Sequence, residues 1–504
     1  MELFDVIIIG SGMGGLTCGY VLSKEGYSVC ILEKNRQFGG NLQTFSRDKC
    51  VLDTGVHYLG GLDPGQNLYK YFSYLGLIDK LKLIRMDENG FDRISFKGDD
   101  MLYPHAMGYN RFVNELSKLF PDNKDEIIAY CKKIKEVCSK FPMYNLNESK
   151  SIESDFDSLG AYEYFKNNIT NEKLRNVLSG SILLYFGSKN YSAFYQHALI
   201  VNSYIESSWR CIDGGSQITK HMVSNIKKLG GVLYNYSEVK NIHLNSDKAE
   251  CVELIDGRKL YSKYFISNVH PSITLEMITP RQKDRIYFKR IKSLKNSPSC
   301  FSMHLIFYPN SFPYLNYNIY HYEVSDVWDA CNYNEDTWPT AYMACTPASS
   351  KSVEYAESMS VLTYMDFNEV KQWENTFNVV PNHLNERGDG YEEFKARKAD
   401  KLLNVLNERF PGIRDKVKKI YTSTPLTYRD YINTPEGSIY GVIKDHNNLL
   451  GTLVSPRTKI PNLFLTGQNL NCHGILGVVI SAMKTCTEFV DYNELFKKIN
   501  NDLD

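Results

Sequence analysis

The stretch from Phe4 to Thr17, F-D-V-I-I-I-G-S-G-M-G-G-L-T, decides the fold. Its first residues form a short apolar run that ends at a glycine, which predicts a buried strand of a parallel sheet. Gly10, Gly12 and Gly15 follow with the spacing G-x-G-x-x-G, and apolar residues at helical spacing then continue to Lys24. A strand, a glycine loop and a helix in this order predict an α/β domain that binds a dinucleotide.

Each residue of the glycine loop has a predicted role. Gly10 permits a tight turn, Gly12 lets the backbone approach a pyrophosphate, and Gly15 lets the helix pack closely on the strand. Ser11 and Gly14 lie in the same loop, at the N-terminus of the helix. Free N–H groups and a positive partial charge attract phosphates there, so we expect both residues to contact the cofactor.

An acidic residue follows at the position that such a domain requires. A second strand is predicted over residues 28–32, and Glu33 stands at its end. Its carboxylate would accept hydrogen bonds from ribose hydroxyls and would repel a 2′-phosphate. Lys34 comes next in the chain and is included among the expected cofactor contacts.

The next residues distinguish FAD from NAD. The run E-K-N-R-Q-F-G-G-N, from Glu33 to Asn41, resembles the flavoprotein superfamily of amine oxidases and phytoene desaturases. This resemblance implies that Gly39 and Gly40 approach the flavin nucleotide. The family usually has Arg after the glycine pair, where this chain has Asn41. We therefore expect Asn41 at the cofactor without the phosphate contact that Arg would make.

Two other stretches resemble the retinol saturase and carotenoid isomerase branch of the desaturases. They are D-T-G-V-H-Y-L-G, which begins at Asp53, and T-P-L-T-Y-R-D-Y-I-N-T-P-E-G-S-I-Y-G, which ends at Gly441. The resemblance implies that Thr54 and Gly55 pass near the isoalloxazine and that His57 and Tyr58 face the substrate. A structural histidine, held by hydrogen bonds, is the alternative for His57.

The segment from Cys211 to Ser267 resembles the family's return to the cofactor domain. It alternates between helical and strand-like patterns. The resemblance implies that Val239 presents its backbone to the adenine and that Asn268, after the last strand, lies near the cofactor.

The segment I-P-N-L-F-L-T-G-Q-N-L-N-C-H-G-I-L-G-V resembles a third return to that domain. Gly467 is expected to turn the chain, and Asn469 to bond a ribityl hydroxyl or the pyrophosphate. A helix is predicted from Gly474. The N–H groups of Gly477 and Val478 in its first turns would face flavin N1 and O2, where reduction places negative charge.

The length of 504 residues predicts more than one domain. The expected fold is a two-lobed α/β flavoprotein with a Rossmann-type FAD-binding domain and a substrate domain of mixed sheet and helices. We expect the FAD-binding domain to comprise residues 1–70, 211–284 and 416–504. The substrate domain would comprise residues 71–210, which look mostly helical, and 285–415.

The bulk composition limits the partners and the compartment. Lys plus Arg and Asp plus Glu both number 58, so the net charge is zero and nucleic acid is not an expected partner. The 12 cysteines show no zinc or redox spacing, which favours reduced thiols and no metal. No apolar run reaches the roughly 18 residues of a membrane span. The predicted location is the cytoplasm, either free or in peripheral contact with a membrane, and no signal peptide is expected.

The resemblance implies an FAD-dependent oxidoreductase that transfers hydride between flavin N5 and a C–C bond of a long apolar isoprenoid or polyene. Reduction, desaturation and isomerisation all remain open. His57, Tyr440 and His473 are the candidates for proton delivery. With a single dinucleotide fingerprint, which FAD would occupy, NAD(P)H or another electron partner would dock only transiently.

Two other functions remain open from the sequence. A flavin amine oxidase has the same fold and would need an aromatic cage beside the flavin. A non-catalytic protein of the Rab escort type also shares this fold and binds prenyl groups. The 36 Tyr and 25 Phe residues suit either an apolar pocket for a lipophilic substrate or an ordinary core.

Overall fold

A computed structural model describes residues 3–147, 158–280, 286–378 and 387–501. The strands of these residues are β1 (Leu3–Ile9), β2 (Val29–Leu32), β3 (Thr44–Arg47), β4 (Cys50–Asp53), β5 (Leu59–Gly60), β6 (Leu83–Arg85), β7 (Asp92–Phe96), β8 (Asp99–His105), β9 (Ser208–Cys211), β10 (Val232–Tyr234), β11 (Val239–Asn245), β12 (Lys248–Leu254), β13 (Lys259–Ser267), β14 (Ile278–Thr279), β15 (Ser299–Phe307), β16 (Asn318–Tyr322), β17 (Ala341–Cys345), β18 (Ser358–Met365), β19 (Val417–Ser423) and β20 (Leu463–Leu465).

The α-helices lie mainly between these strands. They are α1 (Met13–Lys24), α2 (Asn67–Tyr74), α3 (Tyr109–Leu119), α4 (Lys124–Ser139), α5 (Pro142–Asn145), α6 (Ala161–Asn168), α7 (Glu172–Leu178), α8 (Phe194–Glu206), α9 (Ser216–Lys228), α10 (Pro271–Glu276), α11 (Ile286–Lys292), α12 (Asp389–Arg409), α13 (Ile413–Lys416), α14 (Pro425–Ile432), α15 (Leu449–Thr452), α16 (Gly474–Cys486) and α17 (Tyr492–Asn501). Within the described ranges, no helix combines the length and the apolar character needed to cross a bilayer.

The first sheet has the order β10-β2-β1-β13-β12-β11-β14, and β20 pairs with the end of β13. Strands β10, β2, β1, β13 and β20 run parallel to their neighbours in this group. Most apolar side chains of β1 and all those of β2 are buried, and near-continuous apolar runs of this kind are typical of parallel strands. This sheet confirms the predicted Rossmann-type half of the fold.

The register of the parallel strands brings distant segments to one edge of the first sheet. Ile9 lies opposite both Leu32 and Ser267, and Ser267 lies opposite Leu465. The residues that follow these strands therefore lie side by side at the carboxyl edge. Ligands of open α/β sheets bind at that edge.

The second sheet has the order β19-β15-β18-β17-β16-β7-β8. Strand β19 pairs antiparallel with β15, so residues 417–423 belong to this sheet, beyond the boundary expected at residue 416. Strands β7 and β8 come from the region expected to be mostly helical. The partner of β19 and one of the two partners of β7 lie far away in sequence, and periodicity within a strand does not reveal such partners.

Candidate functional site

A cavity of about 390 Å³ connects the carboxyl edge of the first sheet with side chains of the second sheet. The predicted cofactor residues that line it are Gly10, Ser11, Gly12, Gly14, Glu33, Lys34, Gly39, Gly40, Asn41, Thr54, Gly55, Val239, Asn268, Asn469, Gly477 and Val478. The predicted catalytic candidates His57, Tyr440 and His473 line it as well. Gly15 and Gly467 are not among the lining residues, and both contact the loops that form the wall.

The glycine loop has the geometry expected for the turn and for close packing. Gly10 has φ +92°, a conformation that suits glycine. A Cβ on Gly15 would lie 2.1 Å from the carbonyl oxygen of Gly10, so this glycine packs the helix against the loop. Helix α1 begins after Gly12, which provides no side-chain cap. Its first N–H groups therefore face the cavity with the positive end of the helix dipole.

Glu33 is tied to the glycine loop. One carboxylate oxygen accepts the hydroxyl hydrogen of Ser11 and its backbone N–H, at 3.1 Å, and the other accepts the N–H of Asn35 at 2.9 Å. The N–H of Gly39 donates to the hydroxyl oxygen of Ser11 at 3.1 Å. The acid, the glycine loop and the glycine pair are thus held as one unit, and Glu33 keeps lone pairs for ribose hydroxyls.

Asn268 lies across the glycine loop, beside Gly12. Its backbone N–H donates to the carbonyl of Ile9 at 2.8 Å. A Cβ on Gly12 would lie 2.7 Å from its Nδ2, and a Cβ on Gly14 or Gly467 would lie 2.5 Å from its Oδ1. In this structure the group nearest to a Cβ on Gly12 is therefore the amide of Asn268, and the approach of a pyrophosphate to Gly12 stays a prediction.

The segment after the glycine pair is held by its own hydrogen bonds. The hydroxyl of Thr54 donates to the carbonyl of Gln43 at 2.9 Å and lies 3.2 Å from the carbonyl of Asn41. A Cβ on Gly55 would lie 3.2 Å from the Cβ of Asn41. Lys34 donates to the carbonyl of Asp430 at 2.6 Å, and burial lowers the pKa of its ammonium group. The ammonium group of Lys34 is thus bonded to the backbone of α14.

Helix α16 presents a second helix N-terminus to the cavity. Its N-cap residue, His473, makes no capping bond with its side chain, and Gly474 has φ +75°. A Cβ on Gly477 would lie 2.9 Å from the backbone of Cys472, which explains why the first turn needs glycine. The Oδ1 of Asn469 accepts the N–H of Val442 at 3.1 Å, which fixes the preceding loop.

His57 has no hydrogen-bond partner for either ring nitrogen among the described residues. Burial, assisted by the charge of Arg210, lowers the pKa of His57 to about 4, so the ring is neutral at ordinary pH. The alternative interpretation of His57 as a structural histidine held by hydrogen bonds is therefore wrong. An unsatisfied buried polar group in a cavity wall is suited to a ligand that supplies the missing partner.

Tyr440 and His473 form a pair in the cavity wall, with ring centroids 4.4 Å apart. The hydroxyl of Tyr440 donates to the carbonyl of Leu183 at 2.6 Å, and Nε2–H of His473 donates to the carbonyl of Leu184 at 3.0 Å. Burial lowers the pKa of His473 to about 4. Both hydrogens are donated to backbone carbonyl oxygens. This arrangement favours a role in forming the cavity wall over a role in proton delivery.

The rest of the cavity is an apolar chamber. Its side chains come from α8 and the segment before it, from β16 and β17, and from the short helix α5. They include Met143, Tyr144, Leu183, Leu184, Tyr195, Leu199, Ile200, Tyr204, Tyr320 and Met343. The contribution of α5 had no sequence signal, because a four-residue helix is too short for a periodic pattern.

The donor set of the strand edge fits a flavin dinucleotide. Two helix N-termini, the glycine loop and a buried carboxylate face one cavity, and an unpartnered imidazole lies beside them. The glycine loop and the N-terminus of α1 suit a pyrophosphate, and the carboxylate of Glu33 suits a ribose. The N-terminus of α16 and the imidazole of His57 suit a ring with polar edges. The site therefore suits a cofactor with both a dinucleotide and a flat heterocycle.

Comparisons with known proteins agree with this geometry. Residues 8–75 match a family model described as an NAD(P)-binding Rossmann-like domain. The all-trans-retinol 13,14-reductase of Danio rerio is 26% identical, with 96% of this chain and 85% of the reductase covered. Prolycopene isomerase 1 of an Oncidium hybrid cultivar is 24% identical, with 96% and 83% covered.

A solved structure extends the likeness to the whole fold. Putrescine oxidase with bound putrescine superposes with a TM-score of 0.60 at 15% identity, covering 97% of this chain and 99% of the oxidase. At that identity the likeness concerns the fold alone. Over most of its length the chain is therefore similar to the all-trans-retinol 13,14-reductases and the prolycopene isomerases, and its N-terminal segment is similar to a Rossmann-like dinucleotide-binding domain.

Proposed function

We propose that this chain binds FAD and reduces a C=C bond of a long, uncharged polyene or isoprenoid. The observation that carries the proposal is one continuous cavity that has a dinucleotide edge at one side and an apolar, aromatic chamber at the other. Such a cavity brings an apolar chain to the flat ring of a bound flavin. The protein's part is to bind, orient and shield, since the flavin supplies hydride transfer at N5.

Residues of the strand edge would hold the cofactor. The glycine loop and the N-terminus of α1 would bind the pyrophosphate, and Glu33 would bind the ribose. Val239 lies at the start of β11 in the cavity wall, where its backbone would meet the adenine. The N-terminus of α16 would stabilise negative charge on the ring, because its N–H groups and dipole are fixed before reduction.

The lining of the chamber favours an uncharged substrate. Among the described residues, the carboxylates that line the cavity are Glu33 and Glu238. Both lie at the dinucleotide side, after β2 and before β11. An ammonium group in the chamber would thus have no carboxylate partner within the described lining. This supports a polyene substrate over the amine that an amine oxidase would use.

Reduction is the favoured direction for two reasons. The stretches D-T-G-V-H-Y and T-P-L-T resemble the retinol saturase branch, and the relative from Danio rerio is named as a reductase. The dipole of α16 stabilises an anionic reduced ring, which suits a hydride donor and a hydride acceptor equally, so it does not choose the direction.

The test is a single-turnover experiment with the purified, FAD-loaded protein. The flavin is reduced anaerobically with dithionite, and all-trans-retinol or a carotenoid in detergent is added. Reoxidation of the flavin with a product two hydrogens heavier supports the proposal. A more conjugated product formed by oxidised protein alone would show a desaturase, and an isomer of unchanged mass would show an isomerase. Turnover of putrescine without any polyene reaction would favour an amine oxidase.

A second measurement separates the enzyme from a carrier. The purified protein is expected to be yellow with one FAD per chain. A colourless protein that takes up no added FAD, yet binds a prenyl lipid, would support the escort type of function instead.

A further inference from the structure

Two tyrosines in the wall of the apolar chamber begin a buried chain of hydrogen bonds that ends at a carboxyl group behind the wall, and the proposed cofactor site does not use this chain. Tyr58 donates its hydroxyl hydrogen to Oδ2 of Asp92 at 2.8 Å, and the hydroxyl oxygens of Tyr58 and Tyr320 lie 2.7 Å apart. Because Tyr58 has one hydrogen and gives it to Asp92, Tyr320 must donate to Tyr58. Tyr58 and Tyr320 line the cavity, whereas Asp92 lies behind them.

Burial, without a direct ion pair among the described residues, explains why the carboxyl group of Asp92 has a raised pKa. Its Oδ1 accepts from Nδ2 of Asn318 at 2.7 Å, and Oδ1 of Asn318 accepts from Arg210 at 2.7 Å. Arg210 therefore reaches Asp92 through a neutral amide and makes no direct ion pair with it among the described contacts. Burial dominates and raises the pKa of Asp92 to about 7. The titratable and charged groups that interact electrostatically with Asp92 are Tyr58, Tyr204, Arg210, Tyr320, Tyr322 and Cys345.

The direction of the chain depends on the proton of Asp92. When the carboxyl is ionised, both tyrosine hydrogens point toward Asp92. When Oδ2 carries a proton, Asp92 donates to Tyr58 and Tyr58 donates to Tyr320, while Oδ1 still accepts from Asn318. The hydroxyl hydrogen of Tyr320 is then released from its partner and can be donated into the cavity.

We propose that Tyr320 is the proton donor of the reduction and that Tyr58 and Asp92 form the relay that supplies it. This proposal rests on the proposed function, in which one carbon of the double bond would receive a hydride that a bound, reduced flavin would supply. The electron pair of the π bond then takes the proton of Tyr320 at the other carbon. Tyr320 regains a proton from Tyr58, Tyr58 regains one from Asp92, and water reprotonates Asp92 before the next turnover.

The relay differs from the donors expected from sequence. His57 is neutral, and the hydrogens of Tyr440 and His473 are held by the carbonyl oxygens of Leu183 and Leu184. Tyr320 has only Tyr58 as a described hydrogen-bond partner. Burial raises the pKa of Tyr320 well above its usual value, so its phenolate must recover a proton at once, which the relay provides.

The experiment compares Tyr320→Phe, Tyr58→Phe and Asp92→Asn in the FAD-loaded protein. Tyr322→Phe is the matched control. Tyr322 lies on the same strand, is buried, donates to the carbonyl of Gly180 at 2.7 Å and does not line the cavity. Reduced flavin is mixed with the polyene, and reoxidation is followed in H₂O and D₂O. Tyr320→Phe should slow reoxidation roughly a hundredfold, while Tyr322→Phe keeps the wild-type rate and solvent isotope effect.

The pH dependence distinguishes a relay from a structural role. The wild-type rate should fall as pH rises through the pKa of Asp92, and Asp92→Asn should be slow at every pH. A wild-type rate and isotope effect in Tyr320→Phe would overturn the proposal. Failure of the wild-type protein itself to react with any polyene would instead contradict the proposed function.

A measurement on the cofactor-free protein tests the relay without turnover. The infrared C=O band of protonated Asp92 should be present below pH 7, disappear above it and be absent from Asp92→Asn. Tyr58→Phe should shift the band, because the hydrogen bond from the carboxyl group is lost. An Asp92 that is ionised well below pH 7, or a band that Tyr58→Phe leaves unchanged, would overturn the proposal.

Discussion

The hydroxyl group of Ser11 donates a hydrogen bond to the carboxylate of Glu33 and so joins the glycine loop to the end of β2. Ser11 and Glu33 are 22 positions apart and follow two neighbouring parallel strands, whose ends meet at the cavity. Glu33 accepts three hydrogen bonds from protein groups, which orient its carboxylate before a cofactor binds.

This arrangement predicts that Glu33→Ala weakens FAD binding roughly ten- to a hundredfold, since hydrogen bonds to a charged acceptor contribute about 1.5–3 kcal/mol. Ser11→Ala should have a smaller effect, because the backbone N–H of Ser11 still donates to Glu33. Glu253→Ala, on β12 and outside the cavity, is the control. Titration of the apoprotein with FAD measures the affinities. Equal affinity in Glu33→Ala and the control would contradict the assigned role of Glu33.

Gly15→Ala is predicted to destabilise the fold severely. Its Cβ would meet the backbone oxygen of Gly10 at 2.1 Å, and backbone cannot move aside as a flexible side chain can. We expect a loss of several kcal/mol in the free energy of unfolding, measured by urea denaturation. Gly390→Ala is the matched control, because it lies in the first turn of α12 with no atom near the added Cβ. That change should be neutral or slightly stabilising.

Asp53 is predicted to make stability fall as pH rises from about 4 to about 7. It is buried, accepts the N–H of Gly215 at 2.7 Å, and burial raises its pKa to about 7. In this window the folded state keeps a proton that the unfolded state releases. The free energy of unfolding therefore declines by up to about 1.4 kcal/mol per pH unit.

Asp53→Asn should reduce this slope, because the amide keeps an acceptor for Gly215 and does not titrate. Denaturation at several pH values measures both slopes. The remaining decline should come from groups such as Asp92, whose pKa is shifted in the same direction. An unchanged slope in Asp53→Asn would show that Asp53 is already ionised in the folded protein.

His57→Leu is predicted to stabilise the cofactor-free protein while impairing turnover. The buried ring has no described hydrogen-bond partner, and such a group costs about 1–3 kcal/mol. His105→Leu is the control: His105 is also buried but donates to the carbonyl of Val177 at 2.9 Å, so its loss should destabilise. Thermal unfolding and single-turnover reoxidation give the two readouts. Destabilisation by His57→Leu equal to that of His105→Leu would contradict an unsatisfied ring.

The local part of the cofactor site follows from the sequence alone. The strand β1, the glycine loop, the start of α1 and the acid Glu33 lie within one short segment. Their geometry depends on glycine sterics and on hydrogen bonds between near neighbours, which the order of residue types specifies. The helix predicted from Gly474 also begins where its glycine allows. These predictions needed no knowledge of distant contacts.

The tertiary structure decided everything that depends on strand register and burial. Pairing of β1 with β13, and of β13 with β20, brings Asn268 and Gly467 to the glycine loop. Pairing of β16 with β7 places Tyr320 near Asp92. A slip of one residue in the pairing of β16 with β7 would turn the side chain of Tyr320 to the opposite face of the sheet, and no local pattern encodes that register. The raised pKa of Asp92 likewise depends on burial among distant segments, which only the folded chain creates.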